Sequence, residues 1–360
     1  MKKIAFFINS LERGGAEHVT VRLTDFFTKN GIECYIITNK IGSNEYTVPQ
    51  NVKRFFLSNK KKISNIFRLR KLLKSLTPTA LVVMGTSEAI IAIPAAAGLG
   101  IRTVISERND PTNYLGNKLV ISISRFLMRY ADDFIFQTEQ AKLFYDKKLK
   151  GKGQVIYNPI IASDIPNPWD KKRARKIVAV GRLEPQKNHK LLIEAFSDLC
   201  AKRPEFQLEI YGNGSLKDML NSEILKRKME DKILLCGNHP DVLARIRNAY
   251  AFVLPSNFEG MPNALIEAMC LGLPCISTDC PCGGPSALIQ NHNNGILIPC
   301  NDKNALVDAL LFLIENPSIA EAYGQKALEV KELLDISNIG KQWESIIFGD
   351  CKDDIANNHI

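Results

Sequence analysis

The chain has 360 residues, 45% of them hydrophobic, which is enough for two domains with separate buried cores and excludes a disordered polymer. Its 47 Lys and Arg against 38 Asp and Glu leave a formal charge of +9, favouring anionic partners such as nucleotide, nucleic acid or acidic lipid without choosing among them. Nine cysteines, an odd number with Cys280 and Cys282 as the only tight pair, read as reduced thiols and do not supply the four ligands of a zinc site.

In chain order, Met1-Lys2-Lys3 precedes an apolar run at 4–8 that is too short for a secretory leader and reads as a first strand. Further β-rich runs follow at 33–38, 81–84, 103–106 and 134–137, with helical periods in the gaps. The apolar stretch 80–100 is interrupted by Glu88 and Pro94 and divided at Gly85-Thr86-Ser87, so it reads as a buried strand and a buried helix rather than a membrane span. Prolines and polar residues from Asn158 to Asp170 mark a linker. Runs at 177–180, 207–211, 233–236, 251–255, 275–277 and 296–298 then repeat the alternation. A last helix at 336–348 carries Ile339, Trp343, Ile346 and Ile347 on one side. The βαβ rhythm predicts two doubly wound parallel sheets, with ligands beyond the carboxyl ends of the strands.

The helix predicted over 60–76 has two faces. Ile66, Leu69, Leu72, Leu73 and Leu76 form an inward stripe at 100° per residue. Lys60, Arg68, Arg70, Lys71 and Lys74 gather opposite, with Ile63 and Phe67 among them. Apolar residues inside a basic face fit insertion at an anionic membrane, and also fit a solvated helix with two exposed apolar side chains.

Four segments carry chemistry. Gly14-Gly15-Ala16-Glu17 follows the first strand and opens a helix, as a tight turn or as a phosphate or sugar contact. Gly181-Arg182-Leu183 with Lys187-Asn188 follows the strand at 177–180, and its two cations suit a diphosphate or a solvated loop. The stretch Glu259-Gly260-Met261-Pro262-Asn263, followed by Glu267, is more specific. Gly260 and Pro262 suit a loop turning into a helix whose first N–H groups face a ligand, and the two carboxylates, eight residues apart, can pair sugar and ribose hydroxyls. Gly283-Gly284-Pro285 follows.

Taken in this order, these segments with Tyr211-Gly212-Asn213-Gly214-Ser215-Leu216 resemble the retaining GT-B glycosyltransferases of the large family four, along nearly the whole chain. Ser106-Glu107-Arg108-Asn109-Asp110 and Ile336-Ser337-Asn338-Ile339 are similar to bacterial enzymes adding galactose or N-acetylgalactosamine in capsule, O-antigen or lipid-linked glycan assembly. The resemblance implies an N-terminal acceptor domain over 1–165, a nucleotide-sugar domain over 170–332, a final helix at about 335–350 crossing back onto the first, and a central cleft. It implies that Arg182 and Lys187 hold the diphosphate of a UDP-sugar, Glu267 the ribose and Glu259 the transferred sugar. Main-chain groups of Gly260, Met261, Pro262 and Asn263 would complete that site. Gly237 and Asn238 would border the base, and Gly14 and Gly15 would approach the donor from the other domain.

Two departures bear on sugar choice: Arg108 stands where many relatives carry a histidine, and Ala287 where many carry a carboxylate. Without any Asp-x-Asp motif, the expectation is a transferase needing no metal or other cofactor, cytoplasmic and peripheral on the membrane, with a lipid-linked glycan acceptor near Arg108, Ile63, Phe67, Arg70, Lys71 and Lys74 and no nucleic-acid partner. The competing readings are an NAD-dependent dehydrogenase, which would need a three-glycine fingerprint and an acidic residue about twenty positions on, and a basic nucleic-acid-binding protein, which would need a recognition motif.

Overall fold

A computed structural model describes residues 2–57, 62–112, 117–149 and 152–349. The chain forms two compact units, 1–160 with 334–360, and 161–333. The first unit begins with β1 (Lys3–Ile8), α1 (Gly15–Lys29), β2 (Glu33–Thr38) and β3 (Lys53–Phe56). It continues through α2 (Lys62–Leu76), β4 (Ala80–Met84), α3 (Ala89–Ala96), β5 (Arg102–Ser106) and α4 (Lys118–Met128), then β6 (Asp133–Phe136), α5 (Glu139–Leu149) and β7 (Gln154–Val155). All seven strands are parallel in the order β3-β2-β1-β4-β5-β6-β7.

The second unit comprises β8 (Lys176–Val180), α6 (His189–Lys202), β9 (Gln207–Tyr211), α7 (Lys217–Lys226), β10 (Ile233–Gly237), α8 (Val242–Ile246) and β11 (Ala251–Leu254). It ends with α9 (Asn263–Cys270), β12 (Cys275–Thr278), β13 (Ile296–Ile298), α10 (Lys303–Glu315), α11 (Pro317–Ala327) and α12 (Glu329–Leu333). Its parallel sheet runs β10-β9-β8-β11-β12-β13. The final helix, α13 (Ile336–Phe348), belongs to the first unit.

Central strands such as β1 and β4 are buried along almost their whole length, which is why they read as unbroken apolar runs rather than alternating ones. Sequence reasoning did not anticipate β3 and β7. Both are edge strands, two to four residues long and only partly buried, so no apolar run marks them. The stretch 80–100 forms β4 and α3, with Gly85 at φ 111 in the turn and Pro94 inside the helix. No described helix is long and apolar enough to cross a membrane.

The last helix docks on α1, β4 and β5. Asp335 caps it by accepting from the Ser337 N–H at 2.9 Å, and Trp343 is fully buried. Gly340 permits the approach, because a Cβ there would stand 2.3 Å from the Phe26 ring. Arg102 Nε fastens the far end by donating to the Ile346 carbonyl at 3.2 Å.

In both sheets the chain starts in the middle, winds outward to one side, then crosses to the other. The reversal lies between β1 and β4 in the first unit and between β8 and β11 in the second. Loops leaving adjacent strands diverge at such a point and open a crevice at the carboxyl edge, which is where doubly wound sheets bind ligands.

Candidate functional site

The crevice of the second unit is built by the loops after β8 and β11. β8 delivers Gly181, then exposed Arg182, and a short turn delivers Gln186 and Lys187. β11 delivers Ser256, Asn257 and Glu259, after which Pro262 stays extended and α9 begins at Asn263. Lys187 Nζ reaches Glu259 Oε1 at 2.5 Å, and both side chains are largely buried. Ser256 Oγ donates to the same carboxylate oxygen at 2.6 Å, while Gln186 Nε2 donates to the other at 3.4 Å and to the Phe258 carbonyl at 3.0 Å. Arg182 is drawn in by Gln186 Oε1 at 3.2 Å. Two cations, a buried carboxylate and the positive end of a helix thus share one crevice, a pattern that can hold a diphosphate beside a polyol.

The loops are fixed to each other as well. Asn188 adopts a left-handed conformation, φ 47, and donates to Asn257 Oδ1 at 3.0 Å and Asn301 Oδ1 at 2.9 Å. Asn257 in turn donates to the Pro185 carbonyl at 2.8 Å. Glycines let the backbones meet: a Cβ on Gly212, at φ 142, would fall 1.9 Å from the Gly181 carbonyl oxygen, and one on Gly284 would fall 1.6 Å from that of Gly260. Gly212 also donates to the Gly237 carbonyl at 2.9 Å, so the end of β10 joins the same floor beside exposed Asn238. Glu267 is half-buried on α9, and Met261 and Pro262 are buried.

The structure therefore brings Arg182, Lys187 and Glu259 together, with Gly260 to Asn263 leading into α9. Sequence reasoning missed Ser256 and Gln186, which hold that cluster, although each lies within three residues of a residue it named. Gly14 and Gly15 lie in the first unit, where Gly14 caps α1 in an extended conformation. No group of three or more His, Cys, Asp or Glu side chains that could hold a metal occurs among the described residues.

Two arginines of the first unit named above are held by partners within the protein. Arg108, only 7% exposed, donates to Ser106 Oγ at 3.4 Å and to Asn158. Burial lowers its pKa to about 10. Beside it Glu107 is buried and accepts from Thr86, from Tyr145 at 3.0 Å and from the Arg108 and Asn109 N–H groups, which places this pair in a structural network at the end of β5. Arg70 does not extend outward from α2. It is half-buried and donates to the Ala95 and Ala97 carbonyls at 3.1 and 2.6 Å, closing the end of α3.

The rest of α2 divides as its periodicity predicts. Leu69 and Leu73 are buried, whereas Ile63 and Phe67 are 72% and 68% exposed, near exposed Lys71 and Lys74. Lys60 lies outside the described residues. A second exposed apolar row, Leu119, Ile123 and Phe126, runs along α4 and is continued by Tyr130 in the turn after it, and α3 packs between the two helices. Its spacing of four, three and four residues was readable in the sequence.

Two family models match successive parts of the chain: Glycosyltransferase Family 4 over residues 13–163, and Glycosyl transferases group 1 over residues 163–330. The chain belongs to the GT-B glycosyltransferases. An uncharacterized glycosyltransferase of Haemophilus influenzae is 28% identical over 96% of this chain and 100% of its own length. A Campylobacter jejuni enzyme, N-acetylgalactosamine-N,N'-diacetylbacillosaminyl-diphospho-undecaprenol 4-alpha-N-acetylgalactosaminyltransferase, is 27% identical over 91% and 94%. Among solved structures, Anabaena HepE in complex with UDP and glucose superposes with a TM-score of 0.83 at 16% identity, covering 97% of this chain and all of that one. The dehydrogenase reading is thereby set aside.

Within this glycosyltransferase Gly284 has no room for a side chain, so Gly284→Ala must push the Gly260 loop away. It should reduce turnover with nucleotide sugar by at least tenfold and lower the melting temperature, read by product assay and calorimetry. His189, which opens α6 two residues after Lys187, is only 3% exposed, and burial followed by the Lys187 charge lowers its pKa to about 4. Its unfolded form, with a pKa of 6.5, binds the proton that the folded form refuses. Its stabilising effect is therefore complete above pH 6.5 and fades toward pH 4, by about 1.4 kcal/mol per pH unit at most. Between pH 6.5 and 4.5 the parent should lose more stability than His189→Gln in matched urea titrations.

Proposed function

We propose that this glycosyltransferase moves a hexose or N-acetylhexosamine from a UDP-sugar to a polyprenyl-diphosphate-linked or other glycan acceptor, with retention and without a metal or other cofactor. The observation that carries the donor half is the Lys187–Glu259 pair, 2.5 Å apart in the β8–β11 crevice, with Arg182 joined to it through Gln186. Arg182 and Lys187 hold the diphosphate, Glu259 the sugar hydroxyls and Glu267 the ribose. The main chain of Gly260 to Asn263 closes that site, Gly237 and Asn238 border the base, and Gly14 and Gly15 approach the donor. HepE, named as a complex with UDP and glucose, supports the donor class. The Campylobacter enzyme, whose name specifies a diphospho-undecaprenol acceptor, supports the acceptor class.

In the reaction the bond from the anomeric carbon to the diphosphate oxygen breaks, and a bond from the acceptor oxygen to the same face of that carbon forms. The departing phosphate oxygen takes the acceptor's hydroxyl proton. Arg182, Lys187 and the start of α9 offset the charge that grows on the diphosphate, so chemistry that others assign to a divalent ion falls to this chain's own donors. Glu259 acts by positioning: Lys187 and Ser256 both donate to one of its oxygens and Gln186 to the other, which makes it a poor nucleophile.

A panel of UDP-sugars assayed in EDTA tests this half. Turnover should persist in the chelator, and Lys187→Ala should raise the barrier by about 3 kcal/mol, roughly a hundredfold in kcat. Loss of turnover in EDTA with recovery in magnesium or manganese would overturn the metal-free mechanism.

The acceptor half includes residence on the cytoplasmic face of an anionic membrane. Ile63 and Phe67 on α2 and the row from Leu119 to Tyr130 on α4 and the turn after it supply apolar side chains for the headgroup boundary. Lys71 and Lys74, with Arg129 stacked at 4.2 Å over Phe126, supply the charge. Combining Phe67→Ser, Lys71→Glu and Lys74→Glu should abolish sedimentation with anionic liposomes. Unchanged sedimentation would refute the docking surface.

A further inference from the structure

The reversal point of the first unit holds a cavity of about 740 Å³, at the carboxyl edge of β1, β2 and β4. Its chemistry differs from that of the crevice in the second unit. Among the lining groups is Glu88, 9% exposed, which accepts from Asn39 Nδ2 and, at 3.2 Å, from Ser87 Oγ. Asn65, 3% exposed on the buried side of α2, donates to Asn39 Oδ1 at 3.2 Å. Asn9, just beyond β1, adds a further amide to the lining. Phe56 and Ile91 supply apolar wall, and Ile41, 63% exposed, stands at the mouth. Lys40 and Lys62 are both exposed on the rim.

A buried carboxylate with no ion-pair partner among the described residues is costly to maintain for packing alone. Burial raises the Glu88 pKa, with Ser87, Lys62, Asn39 and Lys40 opposing the shift. A carboxyl group has about four lone-pair positions, and two donors among the described residues meet Glu88, so its oxygens can still receive hydroxyl groups from a ligand. Amides serve both senses of a hydroxyl hydrogen bond, and an aromatic ring beside them suits the C–H face of a pyranose. The two rim lysines suit an anionic group attached to that sugar. Directly after Lys62 come Ile63, and one turn later Phe67, both exposed. The order from carboxylate and amides, through cations, to apolar side chains matches the order of parts in a lipid-diphosphate sugar.

We infer that this cavity is the acceptor-sugar site, in which Glu88, Asn39 and Asn65 read the hydroxyl pattern of the sugar that is extended. The inference rests on the proposed transfer to a glycan acceptor and assigns the recognition of that acceptor to named residues.

The test uses the whole chain, a short-chain prenyl diphosphate carrying N-acetylglucosamine or N-acetylgalactosamine, and the matching methyl glycosides. Glu88→Gln keeps the shape of the side chain and removes the charge, and Ile41→Trp blocks the mouth from an exposed position. Each should raise KM for the preferred prenyl-linked acceptor at least tenfold and lower the ratio of transfer to UDP-sugar hydrolysis to a similar extent. Saturation-transfer NMR should detect the matching methyl glycoside on the parent and lose it on both variants. Unchanged acceptor KM and unchanged glycoside signal in both variants would overturn the assignment. If the parent hydrolyses no UDP-sugar but binds the glycoside in a Glu88-dependent way, the donor reading fails and the cavity assignment stands.

Discussion

The second unit is organised around one interaction, the buried contact of Lys187 with Glu259. Each residue comes from a different loop, and the loops leave strands that are neighbours only because the winding reverses between β8 and β11. Neither charge could be buried alone, since removing one partner of such a pair typically costs about 3–5 kcal/mol. The surrounding groups answer to the same requirement. Ser256 and Gln186 complete the carboxylate's hydrogen bonds, and the chain Asn301–Asn188–Asn257 ties the loops so that the pair keeps its geometry. A phosphate entering here meets two cations already held in place, and pre-ordered charge is what stabilises a leaving group without reorganisation.

How much of this was legible in the sequence depends on how local each cause is. The runs at 4–8 and 81–84 read as strands because parallel strands covered on both faces are continuously apolar. β3 escaped because Lys53 and Arg54 begin a solvent-touched edge whose pairing partner, β2, lies some fifteen residues earlier. The outward face of α2 was visible from periodicity in Ile63 and Phe67, but Arg70 was not. Its angular position is outward, and only the nearby end of α3 explains why its guanidinium bends back to the Ala95 and Ala97 carbonyls.

Long-range polar contacts are the least legible class. Glu107, Tyr145, Arg108 and Asn158 meet across 38 and 50 positions, and nothing in a charged residue next to a strand says whether it will face water or another buried group. Gln186 was equally silent: its role exists only because Phe258 and Glu259, 72 and 73 residues away, arrive on the adjacent strand. Glycines fall between these cases. Gly212 and Gly284 stand out in the sequence as glycines, whereas the Gly181 and Gly260 carbonyls that forbid a side chain there are visible only in the fold.

Of the four buried carboxylates among the described residues, Glu107, Glu259 and Glu88 are accommodated in three ways, and the differences bear on what each can do. Glu107 is surrounded by four donors, two side chains and two backbone N–H groups, which exhausts its ordinary accepting capacity and fits a structural role. Glu259 is met by a cation, a hydroxyl and an amide, so a ligand there must share Lys187 rather than replace it, as a sugar diphosphate with both hydroxyls and anionic oxygens can do. Glu88 is met by one amide and one hydroxyl, next to a cavity rather than a neighbouring backbone. Its burial penalty is thus the least offset of the three by donors from the protein. A group in that position gains most from hydroxyls brought in by a ligand, and the free energy of that gain goes into binding rather than folding.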